Sequence, residues 1–347
     1  MRGHANKIET LHYLNSFSSN SRSTPWFHVS RMAMGTHLGD MNKADSTLYQ
    51  ESIEFALSNG INFIDTALNY RGMRSERDIG AVLSKLIKNE KKIRREEIVI
   101  STKAGIIPGD IDLQLRPENY LKEKLIATGI LQEKDLHIID NHKHVLKPSY
   151  YEFAIEQSLN HLNLETIDIH YIHNPEISKH VLEDEKFYME LERLFKFYED
   201  QVERGTIRFY GMAVWTAFTE DPVAPGYISL EKVMHTAQKV AGSSHHFRFI
   251  QTPFNFYNQK ACTDQNQQVQ GKWRTLFQAA EELDVYVTTS APLDCGRLRG
   301  NQDQNADQLI RFVLNTPEIL SAMIGMRRIE TVKSNIHSYI ERAGSKQ

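Results

Sequence analysis

Four ionisable side chains stand at the ends of three strand-like runs: Asp65 and Tyr70 in INFIDTALNY, Lys103 closing EIVISTK, and His173 in IDIHYIHNP. An acid, a phenol, an amine and an imidazole gathered in one pocket can move a proton on or off an oxygen. Reduction of a carbonyl needs such a set, because a hydride must reach the carbon and a proton the oxygen. A tyrosine hydroxyl can give the proton, although its ordinary pKa is about 10. A neighbouring ammonium favours the phenolate and lowers that value toward the working range, so Lys103 is the candidate to tune Tyr70. Asp65 would keep Lys103 charged and in place, and His173 would orient the carbonyl oxygen. No side chain supplies hydride, so the scheme requires a cofactor such as a nicotinamide.

These groups meet only if their strands open onto a common rim. Short apolar runs occur at roughly 29–34, 61–65, 97–102, 166–172, 207–213, 247–252, 285–290 and 320–324. Helical spacing of apolar residues, as in Ile53, Leu57 or Phe153, Ile155, Leu159, Leu162, marks helices at roughly 44–59, 75–89, 149–163, 185–204, 229–241, 271–283, 304–314 and 329–342. Eight strands alternating with eight helices predict a (β/α)8 barrel, an α/β TIM-barrel fold, or an open doubly wound sheet. No G-x-G-x-x-G turn follows the first strand, which favours the barrel, where the carboxyl ends of all strands face one rim. We divide the chain into a polar, Ser-rich arm over residues 1–27 and one barrel domain over 28–347, with an insertion at about 105–148. That insertion and the Gln/Asn-rich stretch 254–270 both follow a strand, so both are extended rim loops. The first is expected to form a pocket wall and the second to be mobile.

Composition narrows the class. The 347 residues are 40% hydrophobic and 24% charged with a net charge of −3, which suits a globular chain and gives no basic stripe for a nucleic acid. No apolar run is long enough to span a bilayer, and two cysteines build no disulfide framework. The expectations are a cytoplasmic protein with a small-molecule carbonyl substrate and neither nucleic-acid nor membrane partners. The sequence sets no oligomeric state.

FIDTALNY, VISTK and YIHNP, in this order and spacing, resemble the aldo-keto reductase superfamily, and Asp65, Tyr70, Lys103 and His173 fall on its catalytic tetrad. The similarity runs over roughly 28–342. MGTHLGD resembles the family's first strand and turn, with Gly35 and Thr36. SERDIGAVL resembles its second helix, and IQTPFN carries Gln251 at a carboxamide-binding position. APLDCGRL, with Pro292, Leu293, Gly296 and Leu298, resembles the loop along the cofactor pyrophosphate. IGMRRIETVKSNI, with Gly325, Arg327, Arg328 and Asn335, resembles the closing cofactor motif. The resemblance implies a barrel that binds NADP or NAD and reduces an aldehyde or ketone. Arg327 and Arg328 suit a 2′-phosphate by charge and fork geometry and favour NADP, with NAD possible. This chain departs from the pattern in having Ala213 and Val214 where many members have Ser-Asn, and Ser290 where many stack an aromatic ring; Trp215 could offer a substitute surface. Those departures keep open a nicotinamide-binding regulatory or partner subunit with little turnover, and the proton groups alone would also serve a lyase or isomerase that transfers no hydride.

Other titratable groups read as structural. His170 falls on the opposite strand face from His173. His137, His142 and His144 match no familiar zinc spacing and read as an exposed loop, so no metal is expected. Cys295 reads as an inert thiol.

Overall fold

The computed structural model describes residues 1–17, 19–297 and 306–339. Eight strands close into a barrel: β1 Met32–Gly35, β2 Phe63–Asp65, β3 Val99–Ala104, β4 Ile167–His173, β5 Ile207–Ala213, β6 Phe247–Pro253, β7 Tyr286–Ser290 and β8 Ile319–Gly325. Each pairs in parallel with its neighbours in chain order, and β8 returns to β1. The longer helices are α1 Lys7–Ser16, α2 Lys43–Leu57, α3 Arg74–Leu83, α4 Pro148–Leu162, α5 Asp184–Glu203, α6 Leu230–Ala241, α7 Leu276–Glu282, α8 Ala306–Asn315 and α9 Ile329–Tyr339. This is the (β/α)8 architecture that the strand and helix pattern predicts.

Strand alternation splits the core in two. Ala33, Phe63, Val99, Ile169, Tyr171, Phe209, Phe249 and Leu320 fill the barrel interior. Met34, Ile64, Ile100 and Ile172 belong to the cluster shared with the helices. The same alternation turns Asp65, Lys103 and His173 inward above the apolar plug. His170 points outward, where its Nδ1 lies 2.8 Å from the Tyr198 hydroxyl.

The N-terminal segment is more than a polar arm. α1 and a hairpin pairing Ser21–Ser23 with His28–Ser30 close the amino end of the barrel. Ala5, Phe27 and Val29 join the interior cluster, and Phe27 stacks on Phe249 at 5.9 Å. A few apolar residues spaced among serines do this packing, so the average polarity of the stretch concealed it. Asp168 locks the seam: it pairs with buried Arg95 at 2.7 Å and accepts the Ala5 amide at 2.8 Å.

The two rim insertions are structured. Within 105–148 a hairpin pairs His137–Ile139 with His142–His144. The stretch expected to be mobile runs into a second hairpin, Gln267–Val269 with Lys272–Arg274. Buried Gln267 anchors it, its Nε2 donating to the Phe218 and Ile228 carbonyls at 2.9 and 3.2 Å. α7 therefore starts at Leu276 rather than 271, capped by Thr275, whose hydroxyl accepts from the Gln278 amide. Among the described residues no helix is long and apolar enough to cross a membrane.

Candidate active site

The register sets one tier of the rim, because Gly325 lies opposite Gly35, Gly35 opposite Asp65 and Asp65 opposite Ser101. His173, Ala213 and Gln251 align across β4, β5 and β6. These strand ends open into a cavity of about 530 Å³.

At its floor three of the four sequence-picked groups are in contact. Lys103 is fully buried, and its Nζ donates to Asp65 Oδ2 at 2.6 Å, to the Thr66 carbonyl at 2.7 Å and to the Tyr70 hydroxyl at 3.5 Å. Three partners account for the three ammonium protons. The carboxylate is held in turn, because Asp65 Oδ1 accepts from Ser101 Oγ at 2.6 Å and from Gln251 Nε2 at 3.1 Å. Burial works against the lysine charge, but the carboxylate of Asp65 and the phenol oxygen of Tyr70 outweigh it, so the Lys103 pKa lies above its ordinary value. For Tyr70, burial raises the pKa and Lys103 opposes the rise; the net direction is upward. The ammonium therefore pulls in the expected direction without bringing the phenol down to the working range. Desolvation, which depends on packing, decides the sign.

His173 completes the set. Its ring meets the Tyr70 ring edge-on at 5.6 Å. Burial, then the Lys103 charge, hold its pKa well below the ordinary histidine value, so the imidazole is neutral. Its Nδ1 is buried with no partner, while the residue lines the cavity. The end of β4 is anchored from behind by residues that read as an exposed loop. His144 is fully buried, and its Nε2 donates to the His173 carbonyl at 2.9 Å. Its Nδ1 must then accept from Ser178 Oγ at 2.6 Å, which leaves Ser178 to accept from His137 Nδ1 at 2.7 Å. Burial lowers the His144 pKa to about 3, consistent with that neutral tautomer. A glycine permits this approach: a Cβ on Gly105, at φ +141°, would lie 2.5 Å from His144 Nε2.

Tyr70 is aimed by a turn that sequence reasoning passed over. Arg71, Gly72 and Met73 are all left-handed, an arrangement that must be held by its surroundings. Buried Arg71 does so: its guanidinium reaches Asp78 at 2.8 Å, the Asp40 carbonyl at 3.0 Å and Ser46 Oγ at 3.2 Å, and covers the Tyr49 ring. Gly72 was the one local signal of this turn. His37, whose ring lies 4.6 Å from that of Tyr70, also went unnoticed.

Of the positions read as cofactor-binding, Gly35, Thr36, Asp65, Gln251, Pro292, Leu293, Gly296 and Gly325 line the cavity, together with Ala213, Val214, Trp215 and Ser290. Arg327, Arg328 and Asn335 lie beyond it toward and within α9. Arg327 is engaged with Asp45 at 2.5 Å, whereas Arg328 is exposed. Leu298 lies outside the described residues. The loop after β7 is unusual in its backbone: Ala291, Asp294, Cys295 and Gly296 all have positive φ. Burial, then Asp294, raise the Cys295 thiol pKa, which leaves it no activated nucleophile.

The carboxyl rim of this parallel barrel thus carries a proton-transfer set, a buried lysine–aspartate–tyrosine contact beside a neutral histidine. The chain belongs to the aldo/keto reductase family, whose sequence profile matches residues 31–309. Among curated proteins, a 6-dehydroglucose reductase of Novosphingobium aromaticivorans is 26% identical over 174 residues, which is 50% of this chain and 42% of that protein. This chain thus spans under half the length of that relative. Among solved structures, an aldo/keto reductase of Klebsiella pneumoniae in complex with NADP and acetate superposes with a TM-score of 0.59 at 17% identity, covering 90% of this chain and 87% of the other. The glycerol dehydrogenase of Gluconobacter oxydans gives 0.61 at 20% identity, over 93% and 90%. At these identities the superpositions speak to the fold.

Proposed function

We propose that this protein reduces an aldehyde or ketone with NADPH, with Tyr70 as general acid, Lys103 and Asp65 behind it, and His173 at the carbonyl oxygen. The observation that carries the reading is the Lys103 ammonium bridging Asp65 and the Tyr70 oxygen on the cavity floor. The residues suit an extended dinucleotide. Gly35 and Gly325 keep the tier beside Asp65 free of side chains, the loop 291–296 offers an irregular backbone edge, and Asn335 Nδ2 is a buried donor without a partner. Gly35, Thr36, Gln251, Pro292, Leu293, Gly296, Gly325 and Asn335 would hold the cofactor. NADP is favoured by Arg328 and by its presence in the Klebsiella pneumoniae relative.

When bound, the nicotinamide supplies the hydride that no side chain can. The protein handles the proton. A phenol raised in pKa keeps its proton at neutral pH, which is the form an acid must have. Because Lys103 donates to the phenol oxygen, the hydroxyl proton is free to point into the cavity. As that proton leaves, the ammonium stabilises the phenolate; proton transfer from a positioned acid contributes about 10²–10⁴-fold. Neutral His173 has no partner for Nδ1, so its single proton is better placed on Nε2, as a donor to the carbonyl oxygen.

Tyr70→Phe tests this reading. Turnover of NADPH with small aldehydes should fall at least about 100-fold, while NADPH binding, followed by fluorescence quenching, persists. Undiminished turnover would remove Tyr70 from its role.

A further inference from the structure

A second cavity, of about 630 Å³, lies against the first and shares Asn69, Ile106 and His142 as lining. It is walled by the insertion after β3 and opens to solvent, with Met41 and Pro117 exposed. Its apolar lining comes from Ile107, Ile111, Leu115 and Pro117 of the insertion and Met41 of the loop before α2, while Arg116, Glu118 and Lys143 add charge, Lys143 pairing with Glu118 at 3.6 Å. The turn that aims Tyr70 separates the two spaces, with Tyr70 lining the first and Gly72 the second.

The wall is preformed. The Ile107 amide donates to the Lys143 carbonyl at 3.1 Å, and the Ile111 amide to the Gly72 carbonyl at 3.2 Å. Asp110 and Leu115 exchange two backbone bonds at 2.8 and 2.9 Å. Asp110 also pairs with Arg77 of α3 at 2.8 Å, which neutralises an acid that would otherwise spoil an apolar chamber. Preformed, mostly apolar spaces of this size are what small-molecule sites look like.

Resting on the reading above, we infer that this chamber is a substrate subsite, and that the protein takes carbonyl compounds with an apolar tail of medium length. The cavity-lining residues assigned to the cofactor come from the ends of β1, β6, β7 and β8, which leaves the Asn69, Ile106 and His142 side to a carbonyl held at Tyr70 and His173. One substituent of its carbon is left to point past Asn69 and Ile106 into the second chamber. A short aldehyde cannot reach those walls and forgoes their burial.

The test is a homologous series, propanal, hexanal and decanal, assayed with NADPH, alongside calorimetric binding of the matching alcohols. Each methylene buried should raise kcat/KM and tighten alcohol binding about fourfold, equivalent to roughly 0.8 kcal/mol. Leu115→Trp, and independently Ile111→Trp, should flatten the dependence on chain length by filling the chamber. Flat series in both turnover and binding overturn the subsite. Chain-length-dependent binding that the tryptophan variants flatten, with no turnover of any aldehyde, supports the subsite and overturns the reductase reading instead. A steep series unaffected by either variant also overturns the inference, because the tail would then lie elsewhere.

Discussion

Glu176 stands just past His173 and illustrates how burial sets protonation around this site. The residue is 6% exposed. Its Oε1 accepts the Trp215 amide at 2.6 Å, its Oε2 is buried without a partner, and Glu220 adds a like charge nearby. Burial, opposed by the Trp215 amide, raises its pKa to about 7. The gap from the ordinary 4.5 corresponds to roughly 3 kcal/mol of penalty on the charged form. The sign follows from linkage. Between about pH 4.5 and 7 the unfolded chain has lost this proton and the native chain keeps it, so this group makes the fold less stable as pH rises. The full penalty is present above pH 7. Glu176→Gln retains an oxygen for the Trp215 amide and cannot ionise. Its stability relative to the parent should therefore improve by roughly 2–3 kcal/mol on going from pH 5 to pH 8. Urea unfolding of both proteins at the two pH values, read by far-ultraviolet circular dichroism, gives that double difference and cancels any constant cost of the amide. A double difference near zero, or one favouring the parent at pH 8, would refute the argument that this carboxyl is held neutral by its surroundings.

Two further outcomes follow from the site's contacts. Lys103→Met strips the positive partner from a buried carboxylate and should destabilise the fold by about 3–5 kcal/mol; in urea unfolding, Asp65→Asn combined with it should recover part of that loss, and an additive or worse double variant would contradict the pairing. Arg327 is occupied by Asp45 and Arg328 is exposed, so Arg328→Ala should reduce the ratio of NADPH to NADH affinity several-fold while Arg327→Ala changes it less. The reverse order would show that Arg327 leaves Asp45 for the cofactor.

The parts of this protein legible in its sequence are those that follow from periodicity. Strand alternation decides that His170 and His173, three residues apart, face opposite ways, and it places Asp65 and Lys103 on the same interior surface. Apolar runs bounded by polar rims are enough to place all eight strands, with β1 the least well bounded because the residues before it fold back as a hairpin. What escaped the sequence depends on long-range burial. His144 reads as an exposed loop histidine because nothing local says that a hairpin will fold it under the end of β4. Arg71 looks like a surface charge until Asp78, one helical turn into α3, and the Asp40 carbonyl converge on it. The direction of the Tyr70 pKa is the sharpest case. A lysine beside a tyrosine can be inferred from strand ends, and its pull is downward, yet the extent of desolvation is a property of the assembled cavity and reverses the net effect. The reversal still fits the chemistry. On the proposed reading, an acid at Tyr70 must be protonated before the reaction and its conjugate base stabilised afterwards. Burial would serve the first need, and the Lys103 ammonium at 3.5 Å the second.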